Sequence, residues 1–264
     1  MEKSEGIERA AERCATGKTR LYVTADLAAG VPVELGRDQA HYLLNVLRLK
    51  EGAPILAFNG RDGEWLCTLS DVRKKAASLL PERMTRAQEG LPDIWLLFAP
   101  VKKARLDYMV QKAAEMGAGV IQPVMTRFTN VARVKEERIE ANLIEAAEQC
   151  GLLTVPEFRE PQSLEKLLDG WSGQTPARRI LFCDESAPPG SALAQLEGER
   201  GKGPFALLIG PEGGFAPEER ERLLAREDTC ALSLGPRIMR ADTAAVAALA
   251  AVQLVLGDWR GDDG

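Results

Sequence analysis

The hydrophobic pattern of the chain changes once, near Asp93, and that change limits the folds open to it. Before it, RLYVTADL, VPVEL, PILAFNG, EWLCTLSDV and ASLLPERM alternate apolar and polar side chains between Gly, Asn and Asp, as half-exposed antiparallel strands do. After it, IWLLFAP, VIQPV, RRILFCDE, FALLIG and CALSLG are apolar without alternation, and helical stretches such as ARLDYMVQKAAEMG and EERIEANLIEAAEQCG lie between them. Strands buried on both faces and joined through helices form a parallel sheet with helices covering it. The pattern predicts a small β-barrel over residues 18–90 and an α/β domain over 91–264, joined at RAQEGLPD. AFNGRDGEW is the expected hairpin connection of the first part. One helix, RDQAHYLLNVLRL, interrupts it, with Leu43, Leu44, Val46 and Leu47 as its apolar face. Residues 1–17, which mix charges and small side chains, are expected to form a flexible extension.

Composition narrows the chemistry. A chain of 264 residues, 45% of them hydrophobic, buries roughly 70% or more of its unfolded surface and needs no metal or disulfide to fold. It contains one histidine, His41, expected to be structural, and five cysteines (Cys14, Cys67, Cys150, Cys183, Cys230) with no CxxC pair. That set excludes zinc ribbons, His-rich metal centres and thioredoxin-like chemistry; no metal is expected, and a reducing, cytoplasmic setting fits. The apolar stretch over residues 243–257 is shorter than the ~20 residues a membrane span needs, so no membrane is expected.

The net charge of −5 argues against indiscriminate phosphate attraction. Residues 18–90 nevertheless carry 11 Lys and Arg against 9 Asp and Glu, whereas residues 91–264 carry 20 against 26. In the front part, Arg20, Arg48, Arg61, Arg73, Lys74 and Lys75 are candidates for an RNA-facing side.

Two loops stand out. FALLIGPEGGFAPEE runs a buried-type strand into Gly210, Pro211, Glu212, Gly213 and Gly214, where the missing side chains let backbone groups approach a ligand beyond a strand's carboxyl end. It has neither the GxGxxG spacing of a dinucleotide fold nor the GxxxxGK[ST] of a P-loop. CALSLGPRIMRADTAAVAAL repeats the arrangement: Gly235 and Pro236 end a strand, Arg237 and Arg240 occupy the loop, and Asp242 or Thr243 is the expected cap of an Ala-rich helix. Asp184 and Glu185 follow another strand end, as a possible base or as solvated loop residues. Lys112 and Glu115 have the spacing of a surface ion pair.

Together, HYLLNVLRLKEG, VQKAAEMGAGVIQPV, EAAEQCGLLTVPEF, LIGPEGGF and LSLGPRIMRADTAA resemble, in order, motifs of the bacterial small-subunit ribosomal RNA methyltransferase E family, over residues 20–257. The resemblance implies a PUA-like RNA-binding barrel before a SPOUT-superfamily domain whose parallel sheet ends in a deep trefoil knot, an exception to the rule that chains do not thread their loops. It implies S-adenosylmethionine as cofactor, methylation of N3 of a uridine in 16S rRNA as reaction, the small ribosomal subunit as setting and a homodimer as working form. Carried onto this chain, the cofactor loops contain Leu208, Ile209, Gly210, Glu212 and Gly213, and Leu232, Leu234, Gly235, Ile238, Met239, Arg240 and Thr243. Where the family usually has Leu-Arg-Thr-Glu-Thr, this chain has Met239, Arg240, Ala241, Asp242 and Thr243; where an arginine commonly follows the Gln-Cys-Gly run, it has Leu152 and Leu153.

Methyl transfer to N3 spreads negative charge onto the flanking uracil oxygens, and a guanidinium offers them paired donors. Arg240 is the expected donor, oriented by Asp242 or Glu212. Two other readings stay open: a SPOUT methyltransferase for another RNA position, and a non-catalytic RNA-binding or ribosome-assembly factor on the same fold.

Overall fold

A computed structural model describes residues 19–131, 134–173, 176–187 and 190–260; the extension expected over residues 1–17 lies outside them. The chain divides into two compact units, one running to Gly90 and taking in Glu148–Thr154 as well, the other made of Leu91–Ala147 and Val155–Gly264.

Unit 1 is a five-stranded sheet in the order β1-β3-β4-β5-β2, from β1 (Thr19–Tyr22), β2 (Val33–Glu34), β3 (Pro54–Phe58), β4 (Glu64–Arg73) and β5 (Ala76–Arg86). Strand β3 meets β4 across the expected hairpin. The ladder is not wholly antiparallel, because β1 pairs with β3 in parallel. Leu21, Ile55, Ala57, Cys67, Leu69 and Leu79 form the core, and Leu43 packs into it. Each fully buried side chain of leucine size contributes roughly 1.5–3 kcal/mol to such a core.

The single helix is shorter than the apolar spacing predicts. Helix α1 (Arg37–His41) passes into a π-helical turn over Tyr42–Val46, and Arg48 then adopts φ 56°, stopping the helix. The wider turn rotates Val46 away from the core, leaving it 58% exposed instead of on the buried face. His41 ends α1 on the surface.

The segment Glu148–Thr154 completes unit 1 through arginine. Arg20 donates from Nε to Glu64 Oε2 at 2.9 Å, from Nη1 to the Glu148 carbonyl at 3.0 Å and from Nη2 to the Leu152 carbonyl at 2.7 Å. Its guanidinium lies 4.5 Å from the centre of the Phe58 ring. Arg86 donates to the Gly151 carbonyl at 2.7 Å. Leu153, one of the two leucines standing where the family has arginine, is buried.

Unit 2 is built on a seven-stranded parallel sheet, β12-β10-β11-β6-β7-β8, with β9 also on β7. Its strands are β6 (Ile94–Phe98), β7 (Val120–Met125), β8 (Glu157–Phe158), β9 (Gln162–Ser163), β10 (Arg179–Cys183), β11 (Phe205–Ile209) and β12 (Thr229–Leu232). Every residue of β6 and β11 is buried, as their unalternated sequences predict. Strand β11 lies between β6 and β10, so the chain fills an inner position of the sheet after its neighbours. The helices are α2 (Lys103–Glu115), α3 (Glu136–Cys150), α4 (Leu164–Gly170), α5 (Ala192–Glu197), α6 (Pro217–Leu224) and α7 (Ala241–Leu256).

Small side chains let α7 pack on α2 and α5. One polar residue, Gln253, is fully buried in α7. It donates to the Met116 carbonyl at 2.6 Å and accepts from the Asp258 N–H at 3.2 Å. No helix among the described residues is long and apolar enough to cross a membrane.

Candidate active site

Adjacent strands β12, β10 and β11 end at Leu232, Cys183 and Ile209, and the loops beyond these carboxyl ends enclose a cavity of about 450 Å³. Ligands of open parallel sheets sit in this position, and the volume lies in the range of small-molecule sites.

The first wall follows β11. Gly210 is required by close approach: a Cβ there would come within 2.6 Å of the Phe215 ring. Phe215 is held edge-on to Phe182 with centroids 5.0 Å apart. The Gly214 N–H donates to the Pro211 carbonyl at 2.9 Å, closing the turn. Glu219 then fixes the start of α6, accepting from the Ala216 N–H at 3.0 Å through one oxygen and from the Arg127 N–H at 2.8 Å through the other.

The second wall follows β12. Ser233 is buried and donates its N–H to Gln195 Oε1 at 3.1 Å. Gly235 has φ +99°, a conformation that L side chains rarely adopt, and turns the chain toward Arg237, Ile238 and Met239.

The third wall follows β10. Asp184 is 7% exposed and so is no solvated loop residue. Its carboxylate accepts from Arg220 Nε at 2.9 Å and from the Ser186 N–H at 3.0 Å. Burial pushes the Cys183 thiol up to about 12, so this sulfur is a neutral wall at working pH and no nucleophile. Among the described residues no cluster of three or more metal-ligating side chains occurs.

Of the residues expected on cofactor loops, Ile209, Gly210, Glu212, Leu232, Leu234, Gly235, Ile238 and Met239 line the cavity. Leu208 instead lies wholly in the sheet core, because successive strand side chains point to opposite faces and Leu208 faces the cluster of Trp95, Leu97 and Phe182. Gly213 faces Phe128. Arg240 and Thr243 are exposed and stand outside the cavity lining.

Two expected arrangements differ in the structure. Glu212 does not orient Arg240; it accepts from Arg105 Nη1 at 3.2 Å. Asp242 and Thr243 do not cap α7, because the helix already starts at Ala241, with Arg240 at the cap position. Asp242 lies in the first turn, where its Oδ1 accepts from the Thr243 N–H at 3.1 Å and its charge complements the helix dipole. Arg240 has no hydrogen-bonding side-chain partner among the described residues.

The RNA candidates in unit 1 also divide. Arg20 is committed to the interior and its side chain is only 12% exposed, which removes it from an RNA-facing set. Arg61 holds Asp26 at 2.6 Å and the Thr24 carbonyl at 2.9 Å. Arg48, Arg73, Lys74 and Lys75 are exposed, the last three at the turn between β4 and β5.

Comparison with known proteins agrees with this geometry. The sequence family described as an RNA methyltransferase domain matches residues 88–253, and the RNA methyltransferase PUA domain matches residues 35–82. The ribosomal RNA small subunit methyltransferase E of Rickettsia conorii is 30% identical over 237 residues, covering 89% of this chain and 95% of that protein. The Bacillus subtilis protein of the same name is 31% identical, covering 85% and 91%. The chain belongs to the ribosomal RNA small subunit methyltransferase E family. A solved methyltransferase E, from Neisseria gonorrhoeae and bound to S-adenosyl methionine, superposes with a TM-score of 0.78 at 29% identity, covering 92% of this chain and 99% of that one. Methyltransferase E architecture, a PUA-like unit followed by a SPOUT-type parallel α/β sheet, is therefore the architecture of this chain.

Arg105, Arg220, Phe215 and Phe128 carry no sequence signal of their own. Three lie in helical or turn segments that read as ordinary surface, and Phe215 reads as a residue merely following two glycines.

Proposed function

We propose that the protein transfers the methyl group of S-adenosylmethionine to N3 of a uridine in 16S rRNA, and the observation that carries this reading is the cavity beyond β10, β11 and β12 in a chain of this family. Its lining fits that cofactor. Asp184 and Glu212 are each held by an arginine, Arg220 and Arg105, whereas Glu185 offers a carboxylate to a cationic group, and Leu232, Leu234, Ile238 and Met239 supply apolar surface for a purine ring. When bound, S-adenosylmethionine supplies an activated methyl group on a sulfonium, so the chain's own residues position, orient and stabilise.

Arg240, whose guanidinium has no partner among the described residues and which stands at the N-terminus of α7, is placed to donate to a uracil oxygen as charge develops there. Asp242, two residues on, acts through the helix end, whereas Glu212 is engaged by Arg105. Thr243 sits in the same first turn. Unit 1 is assigned to RNA, with Arg48, Arg61 and Lys74 as backbone contacts. The late insertion of β11 between β6 and β10, followed by return of α7 onto α2, supports a knotted chain. Exposed Ile238 on a cavity loop and Leu254 on α7 favour a homodimer as the working form, and the family names favour the small ribosomal subunit, in the cytoplasm, as its setting.

The test is calorimetric titration with S-adenosylmethionine, then incubation of labelled cofactor with small subunits lacking the modification and mass analysis of the nucleosides. Binding with 3-methyluridine is the expected result. Binding with a different methylated nucleoside would overturn the substrate assignment, and absence of both binding and transfer in folded protein would overturn the enzymatic reading.

A further inference from the structure

We propose that Phe128 is the surface on which the target base stacks, an inference that rests on the methyl-transfer reading above. Phe128 follows β7 by three residues and keeps 43% of its surface exposed although it is a large apolar side chain. It is not loose. The Thr126 N–H donates to Thr129 Oγ1 at 2.9 Å, the two threonine hydroxyls are 2.9 Å apart, and the Arg127 N–H is held by Glu219 at the start of α6. The turn is thus pinned on both sides of the ring.

The side chain stands beside the Gly210–Gly214 loop. A Cβ on Gly213 would sit in ordinary van der Waals contact with Phe128, 3.4 Å from its Cβ and 3.8 Å from its Cγ, so the open side of Gly213 faces the aromatic. The neighbours of Gly213 on either side, Glu212 and Gly214, line the cavity. One loop residue therefore has the cavity beside it and an exposed aromatic against its back.

The surroundings match a nucleic acid. Strand β6 ends toward Lys102, Lys103 and Arg105, strand β7 toward Arg127, and strand β12 toward Arg237 and Arg240, so these cations rise from one edge of the parallel sheet. Cations along a rim with an aromatic among them form the combination by which single-stranded nucleotides are held: charge follows the backbone and a ring takes the base. A uracil presenting N3 to a methyl donor must be unpaired, and its exposed face then needs a partner that makes no demand on its hydrogen-bonding edge.

The experiment compares F128L, F128A, F128Y and F128W. Leucine keeps the packing on Gly213 but has no π face, so F128L and F128A should lose roughly tenfold to a hundredfold in kcat/KM for unmodified small subunits, the scale of one base stack. F128Y and F128W should stay within about threefold of the native chain, and cofactor affinity and thermal midpoint should be unchanged in all four. F128W should also show tryptophan emission quenched by small-subunit RNA beyond the quenching of the native chain. Full activity in F128L overturns the proposal, as does equal loss in F128W and F128A. Were the native chain inactive on small subunits, the functional reading would fail separately, and unquenched F128W emission would overturn the stacking role by itself.

Discussion

Arg220 on α6 donates from Nε to Asp184 Oδ2 at 2.9 Å, joining the helix that follows the first glycine loop to the residue that follows β10. The Asp184 side chain is 5% exposed, and its oxygens are taken by this guanidinium and by the Ser186 N–H. R220A should lower unfolding free energy by about 1–3 kcal/mol, the range for a buried polar group losing a partner. It should also weaken S-adenosylmethionine binding, because two walls of the cavity lose their tie. Urea titration and calorimetry check both, and unchanged affinity would separate the ion pair from the site.

Gly210 leaves no room for a methyl group, since its Cβ would stand 2.6 Å from the Phe215 ring. G210A must displace Phe215 from its edge-on contact with Phe182. A loss of about 1–3 kcal/mol in stability is expected, together with reduced cofactor affinity. Recovery of affinity in the double variant with Phe215→Leu would trace the defect to this clash.

Arg240 has the freedom that a substrate contact requires. R240A should reduce methyl transfer by roughly a hundredfold or more, the effect of losing one donor to developing charge, while cofactor affinity stays within a few-fold. Single-turnover rates with bound cofactor measure this directly; an unchanged rate removes Arg240 from the chemistry.

Gln253 ties α7 to the end of α2 through the Met116 carbonyl and holds the Asp258 N–H. In Q253L both backbone groups lose this partner, and the Met116 carbonyl loses it beside a fully buried side chain. The expected cost is about 1–3 kcal/mol, read by urea titration, with little change in the cavity loops.

Burial holds two thiols, Cys67 and Cys183, up to about 12. The unfolded chain releases these protons near pH 9 while the native chain retains them, so stability is complete below that pH and falls as pH rises toward 12. Denaturation midpoints between pH 8 and pH 10 should therefore decline, and less steeply in the Cys67→Ala and Cys183→Ala variants. A slope unaffected by either substitution would assign the decline to other groups.

Much of the architecture can be read from local pattern. IWLLF and FALLI are apolar at every position because both faces of the inner strands are covered, and the two glycine loops mark the strand ends that bound the cavity. What cannot be read depends on partners distant in sequence. Arg20 resembles any surface cation until Glu64, Glu148 and Leu152 surround it. Glu212 and Arg105 meet across 107 residues, which no helical or strand period encodes. The π-helical turn at Tyr42–Val46 escapes a 3.6-residue period because it adds a residue to the turn. Elements β8, β9, α4 and α5 are too short for periodicity to separate them from loop.

The contribution of Glu148–Thr154 to unit 1 has a consequence for how the protein is made. A nascent chain that has emerged only as far as Gly90 carries Arg20 and Arg86 but not yet the carbonyls of Glu148, Gly151 and Leu152 that those arginines bind. The first unit therefore cannot finish when its own five strands have been made: its last acceptors arrive more than fifty residues later, after β6, α2, β7 and α3 have been synthesised.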